Sequence, residues 1–343
     1  GLNASNYLLG VMGSDAAGIA LTREYLDIIF YGTFIVLIQI SLNGTLNAQG
    51  DTRSYRNVLI FSFFLNIILN PILISGEFIG YKIFNPLGIS GIAIATILSQ
   101  FIGLLYLLYK ISKTEIYNFF KNKYLLPKLK SITEISIQGI PASIGLMMIA
   151  LGSYILLYFV SYYGNDAIAG FASAGRYEQL LFLPLLGLST AVTSIVGQNL
   201  GARKLDRILE TYKKAIRTGV IILSIVAIFL FFSAEFSMRL FTNDEDVIFY
   251  GSIYLKIWAF GFPAFPLFFI PNATFQGLKR AIIVMYMAIL RFVLIPIIVV
   301  FFINSFIKED YIYMFIGLTT MHWIIGIFYY RYSLNKIKSL IRN

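Results

Sequence analysis

The chain has 343 residues, of which 58% are hydrophobic and 13% charged, with a net charge of +10. A soluble domain carries about 25% charged residues, so this deficit, with a mean hydropathy of +0.78, points to a protein whose main solvent is lipid. The basic residues lie in loops rather than in runs interleaved with aromatics, which excludes a nucleic-acid partner; the lack of cysteine excludes disulfides and thiol chemistry; a single histidine without clustered carboxylates excludes a zinc or di-metal enzyme.

A membrane-crossing helix needs about 20 mostly apolar residues. Nine stretches qualify: 24–48, 57–76, 88–109, 134–160, 168–196, 215–236, 248–275, 281–304 and 312–330. All are expected to be helical, since lipid cannot satisfy open backbone groups. The fold class is therefore all-α, a polytopic membrane helical bundle. Two spans are less uniform: the first carries Gln39, Asn43, Asn47 and Gln49, and the fifth carries Arg176, Glu178, Ser189, Thr190, Thr193 and Ser194. Such residues should face the bundle interior or a wet cavity.

The loops alternate in charge. Arg53, Arg56, the stretch 110–130, Arg203 to Arg217, Lys279, Arg280 and the tail from Arg331 to Arg342 fall on one side, with 20 of the 27 Lys and Arg residues. Arg23, Lys82, Arg239 and Lys308 are the 4 on the other, with the acidic run Asn243 to Asp246. Basic loops and the C-terminus are therefore expected in the cytoplasm, at the plasma (inner) membrane, and the first residue outside. The loop 110–130 reads as a charged cytoplasmic linker, with an interfacial helix as the further option.

The flanks of that linker echo each other. MGSDAAGIALTREYLDIIFYG (12–32) and FTNDEDVIFYGSIYLKIWAFG (241–261) match at a constant offset of 229, pairing Asp15 with Asp244, Tyr25 with Tyr254 and Gly32 with Gly261. NAQG (47–50) then echoes TFQG (274–277), and NPILI (70–74) echoes IPIIV (295–299), the offset drifting to 227 and 225. A parallel internal repeat is expected: an N-lobe over 1–109 with only its last three helices, a linker over 110–130, a complete six-helix C-lobe over 131–331 and a tail over 332–343. The same offset places the start of the first lobe about 100 residues before Gly1, giving twelve helices in all, of which nine are present.

Motifs of hydrolases and nucleotide-driven pumps are lacking, and no enzyme activity is expected. Asn66 and Asn70 stand four apart on one helix face, followed by Pro71, which frees a backbone carbonyl one turn back. They make either an oxygen-rich spot for a small cation or an interhelical packing pair. Thr96 could reach a neighbouring helix or bond its own. Arg176 and Glu178 lie early in the fifth span; Glu178 could exchange a proton or bind a cationic substrate, or the two could anchor near headgroups or pair elsewhere. Arg291 lies ten residues into its span, too deep to snorkel, and should point inward. His322 is either a proton-exchanging or a structural histidine. Pro263, Pro266 and Pro271 predict a bent helix.

These residues also carry a resemblance. LPLLGLSTAVTSIVGQNLGARKLDR, NGTLNAQGDTR, LNIILNPILI, GISGIAIATILSQ, QGIPASI and the proline-rich stretch ending in FQGLKR occur in the order and spacing of the multidrug and toxic compound extrusion (MATE) family, over essentially the whole chain. The chain resembles its DNA-damage-inducible-F-like (DinF-like) branch, with the present spans as helices four to twelve of a two-lobed, six-plus-six MATE-like fold. The resemblance implies a secondary antiporter that exports amphiphilic or cationic compounds in exchange for Na+ or H+, sits in lipid as a monomer and uses no cofactor. It also implies a cation site in the N-lobe at Asn66, Asn70 and Thr96. The branch has Asp where this chain has Asn70, and an Asn neither takes up a proton nor supplies charge to Na+. The second lobe would then depend on Glu178, with Arg176 and Arg291 as further cavity candidates. A lipid-linked oligosaccharide flippase of the same superfamily would need more arginines to hold phosphate. A non-transporting membrane subunit would lack a two-lobed cavity. Since the first three helices are missing from the repeat, residues 1–343 alone are expected to show no ion-coupled export; drug accumulation driven by a Na+ or H+ gradient in vesicles reconstituted with this chain would refute that.

Overall fold

The structure is a computed structural model that describes residues 16–78, 80–117, 128–306 and 310–342. Readings that fall on 1–15, 118–127 and 307–309 lie outside the described residues; they include the Asp15 end of the repeat, the middle of the linker with its interfacial helix, and the loop residues Lys308 and Glu309. The described helices are α1 (Ala16–Ala48), α2 (Arg53–Ser75), α3 (Gly88–Ser112), α4 (Leu129–Ser161), α5 (Asn165–Gly201), α6 (Leu205–Arg239), α7 (Glu245–Ala259), α8 (Pro266–Gly277), α9 (Ala281–Ile289), α10 (Ile295–Phe306) and α11 (Tyr311–Arg342). Among the described residues eight helical stretches are long and apolar enough to cross a membrane, and the bent pair α7 and α8, taken as one span, makes nine, as the hydrophobic pattern predicts.

Chain contacts divide the protein into two compact units, Gly1–Leu126 and Pro127–Asn343. In the first unit α3 packs against both α1 and α2. Asp51 starts α2: one carboxylate oxygen accepts from the backbone N–H groups of Arg53 and Ser54, the other from the Ser54 hydroxyl. The Ser54 hydroxyl leads in holding this loop carboxyl below its ordinary range. Gly76 ends α2 in the left-handed region at φ 72°, where the lack of a Cβ is needed, and its carbonyl accepts from Ile83 and Phe84. That closes a two-residue hairpin, β1 (Glu77–Phe78) with β2 (Tyr81–Lys82), where the sequence suggests only a loop. The small core of this unit lies at the other end of α2 and α3, near the turn from α1, and comprises Leu46, Val58, Leu107 and Ile111.

The second unit has the larger core, running through α5, α6, α7, α8 and α11. Its helices touch where side chains are smallest. Gly170 of α5 faces Gly251 of α7: a Cβ on Gly170 would stand 2.8 Å from the Gly251 nitrogen and the Val247 oxygen. Between α7 and α8, the prolines cannot donate to the helical ladder, so the chain tightens into a 3-10 turn over Phe262–Ala264 and bends by 44°. The carbonyl of Phe260 at this bend accepts from Trp323 Nε1 at 2.8 Å. Between α9 and α10 a π-turn, Leu290–Leu294, interrupts what the sequence suggests is one regular span. The echoed glycines Gly32 and Gly261 hold comparable places, each against the third helix of its triplet, at Ile97 of α3 and Thr319 of α11.

Gly170→Ala should force α5 off α7 and lower stability by about 1–3 kcal/mol. Gly175→Ala, where an added Cβ meets nothing within 4 Å, should instead gain up to about 1 kcal/mol of helix propensity. Thermal unfolding in detergent should shift in opposite directions for the two.

Candidate functional site

In the second unit the glycine crossing sets the register of the site. Glu178 lies eight residues beyond Gly170 on α5, two turns down the same face. Tyr254 and Trp258 follow Gly251 on the facing side of α7. The Tyr254 hydroxyl donates to Glu178 Oε2 at 2.5 Å and Trp258 Nε1 donates to Oε1 at 2.8 Å. Both carboxylate oxygens are thus satisfied within a membrane span, where an unpaired acid would be costly. Phe171 supports Tyr254 edge-on, with ring centroids 5.1 Å apart.

Arg291 sits in the π-turn, and none of the hydrogen bonds or ion pairs among the described residues involves it. Its guanidinium carbon lies 4.1 Å from the ring centre of Phe268, 4.7 Å from Phe292, 4.9 Å from Phe265 and 5.8 Å from Phe269. Phe265, at the N-cap of α8, and Phe268 and Phe269 within it stand at i, i+3 and i+4 on one face. Ring faces attract a cation by about 0.5–2 kcal/mol each, more when water is excluded. Glu178 is linked to the same rings through Trp258, whose ring lies 5.8 Å from that of Phe265. His322 packs behind the same rings, 4.6 Å from Phe265 and 4.8 Å from Phe268, and its buried Nε2 has no partner. Glu178, Arg291 and His322 are therefore brought into one neighbourhood, while Arg176, two residues from Glu178, is exposed on another face of α5. A groove of about 490 Å³ beside the bend is lined by Phe231, Phe260, Pro263 and Trp323, without Glu178, Arg291 or His322 in its walls.

In the first unit Ser62 donates to the Ser99 carbonyl at 3.4 Å, and Gly91 lies against the backbone of Leu73. These two approaches bracket Asn66 and Asn70, which therefore run level with the Ile92 to Thr96 stretch of α3. Asn66 Nδ2 donates to the Ser62 carbonyl at 2.9 Å and the Thr96 hydroxyl to the Ile92 carbonyl at 3.0 Å, each within its own helix. Asn70 Oδ1 is buried without a partner. No group of three or more His, Cys, Asp or Glu side chains suited to a metal occurs among the described residues.

The ring donors on Glu178 and the cage around Arg291 are not singled out by sequence reasoning. Phe265, Phe268 and Phe269 do carry a signal, their helical spacing, whereas the partners of Glu178 lie far along the chain. Tyr254→Phe should strip one carboxylate oxygen of its donor and cost about 1–3 kcal/mol. Adding Glu178→Leu should recover most of that loss in thermal unfolding, because it removes the stranded group.

The MatE family profile matches residues 2–72 and 141–302. The probable multidrug resistance protein YpnP of Bacillus subtilis is 27% identical over 334 residues, which are 97% of this chain and 73% of that protein. The probable multidrug resistance protein NorM of Thermotoga maritima is 31% identical over 258 residues, 75% of this chain and 54% of its own length. Among solved structures, a MOP superfamily transporter from Pyrococcus furiosus superposes with a TM-score of 0.88 at 23% identity, covering 100% of this chain and 75% of that one. An outward-facing multidrug resistance MATE transporter does so with a TM-score of 0.86 at 23% identity, over 98% of this chain and 75% of that one. The chain thus spans between about half and three quarters of the length of these relatives, and its fold is that of the MATE transporters. With the family's motifs in order along the helices and its profile covering most of their length, the chain belongs to the MatE family.

Proposed function

We propose that the chain serves in a secondary antiporter that exports amphiphilic or cationic compounds across the cell membrane in exchange for Na+ or H+. Its lobes divide as 1–109 and 131–331 around the linker 110–130, its basic loops and the tail 332–343 face the cytoplasm, and it works as a monomer in lipid without a cofactor. The relatives' names, multidrug resistance and multidrug export, favour this reading. The observation that carries it is Glu178, an acid held by two ring donors inside an apolar span. An acid so placed can alternate between a proton or Na+ and an organic cation, the exchange an antiporter needs. Of the arginines well inside this lobe's spans, Arg176 is exposed and Arg291 is held by phenyl faces, which gives little to bind phosphate and speaks against a flippase. Asn66, Asn70 and Thr96 form the secondary candidate, with the orphan oxygen of Asn70 as its open ligand position.

Inverted membrane vesicles from cells producing the whole transporter in which this chain serves test this directly. An imposed Na+ or H+ gradient should drive accumulation of a lipophilic cation dye such as ethidium. Glu178→Gln should cut it by about tenfold or more, the scale of losing a charged hydrogen-bonding group. Asn66→Ala and Asn70→Ala should lower coupling more than they lower the amount of protein in the membrane; an equal loss of both would make them packing residues. No gradient-driven accumulation with that whole transporter present in the membrane would overturn the reading.

A further inference from the structure

The cage around Arg291 is built like a receptor for a cation. Four phenyl rings surround one guanidinium, and the acid Glu178 is bonded to Trp258, whose ring lies 5.8 Å from that of Phe265 in the cage. Yet the guanidinium is not locked in place. Arginine carries five N–H donors, and none of them is in a hydrogen bond or ion pair among the described residues. Glu178 does not need Arg291 to satisfy its oxygens, since Tyr254 and Trp258 already do so. The backbone beneath is a π-turn, a local rearrangement of the helix that often accompanies functional sites. It is backed by Gly152 of α4, where a Cβ would stand 2.6 Å from the Phe292 oxygen. A side chain held by ring faces and a long-range charge, on a non-standard turn, is one that can leave.

We propose that this cage is a binding site for organic monocations of guanidinium or small ammonium type, and that Arg291 is its resident occupant, displaced when such a cation enters. The cation is recognised by the faces of Phe265, Phe268, Phe269 and Phe292 and by the charge of Glu178; its apolar tail has the surrounding aromatic residues to lie against. Arg291 then acts as a tethered competitor. It keeps the cage filled and the charge of Glu178 balanced when no substrate is present, and only a cation that binds better than a covalently attached one gains entry.

The proposal rests on the exporter reading only for the source of the incoming cation. Binding is measured without transport, so the two can fail separately. The test uses the purified protein in detergent, with methylguanidinium as probe and neutral methylurea of like shape as control. Trp258, with its ring 5.8 Å from Phe265, reports occupancy by fluorescence in a Trp323→Phe background, and the unfolding midpoint reports it independently. Arg291→Ala should bind methylguanidinium saturably, at least about tenfold more tightly than the parent, because the tethered competitor no longer depletes the open cage. Methylurea should do nothing, and adding Glu178→Gln should abolish the gain. Arg291→Gln, neutral and closer in size, reads the same contrast if the alanine variant does not fold. Equal responses of the parent and the Arg291 variants, or no saturable response from a folded variant, would overturn the proposal.

Discussion

Hydrocarbon offers no hydrogen bonds, so a polar group within a span of this protein either finds its partner within the chain or is left costly. Most of the structure follows from that demand. The spans are helices because a helix satisfies its own peptide groups. Serine and threonine hydroxyls inside them turn back to a carbonyl one turn earlier, as Thr33 does to Ile29, Ser99 to Ala95 and Thr274 to Ile270. Where prolines break the ladder between α7 and α8, the indole of Trp323 takes the Phe260 carbonyl. Where an acid enters a span, two ring donors from another helix meet it.

Those donors reach Glu178 only because α5 and α7 approach at the level of their backbones. The Gly170 and Gly251 pair removes the side chains that would separate the two helices, and the helical period then carries Glu178, Tyr254 and Trp258 to the same depth. The same logic holds on the far side of the site, where Gly152 of α4 lets the Phe292 turn come close. Small residues thus act at a distance from the chemistry: they set helix spacing, and the spacing decides which polar groups can meet.

Much of this was readable in the sequence. Apolar length marks the spans, and Pro263 and Pro266 mark the bend, because both signals are local. The family motifs reached the fold for the same reason, being strings of neighbouring residues. What was hidden depends on tertiary placement. Tyr254 and Trp258 lie 76 and 80 residues from Glu178, and no periodicity in one helix announces a partner in another. The π-turn carries no proline or glycine in LRFVL, so nothing local distinguishes it from a regular helix. Asn66 and Thr96 each bond a carbonyl of their own helix, and whether a side chain bonds its own backbone or a neighbour depends on rotamer and packing, which the sequence does not carry.

The cluster in the second unit also has an electrical consequence. When Glu178 is ionised, its negative charge and the positive charge of Arg291 share the interior of the same unit, and together they add no net charge. Carrying a single charge across the membrane field changes the energy by about 2.3 kcal/mol for each 100 mV. A rearrangement that moves the two together is therefore nearly silent to membrane voltage, whereas one that moves Arg291 alone along the membrane normal is not. The placement of a cation beside its acid thus decides whether this half of the protein senses the potential across the bilayer or only the chemistry on either side of it.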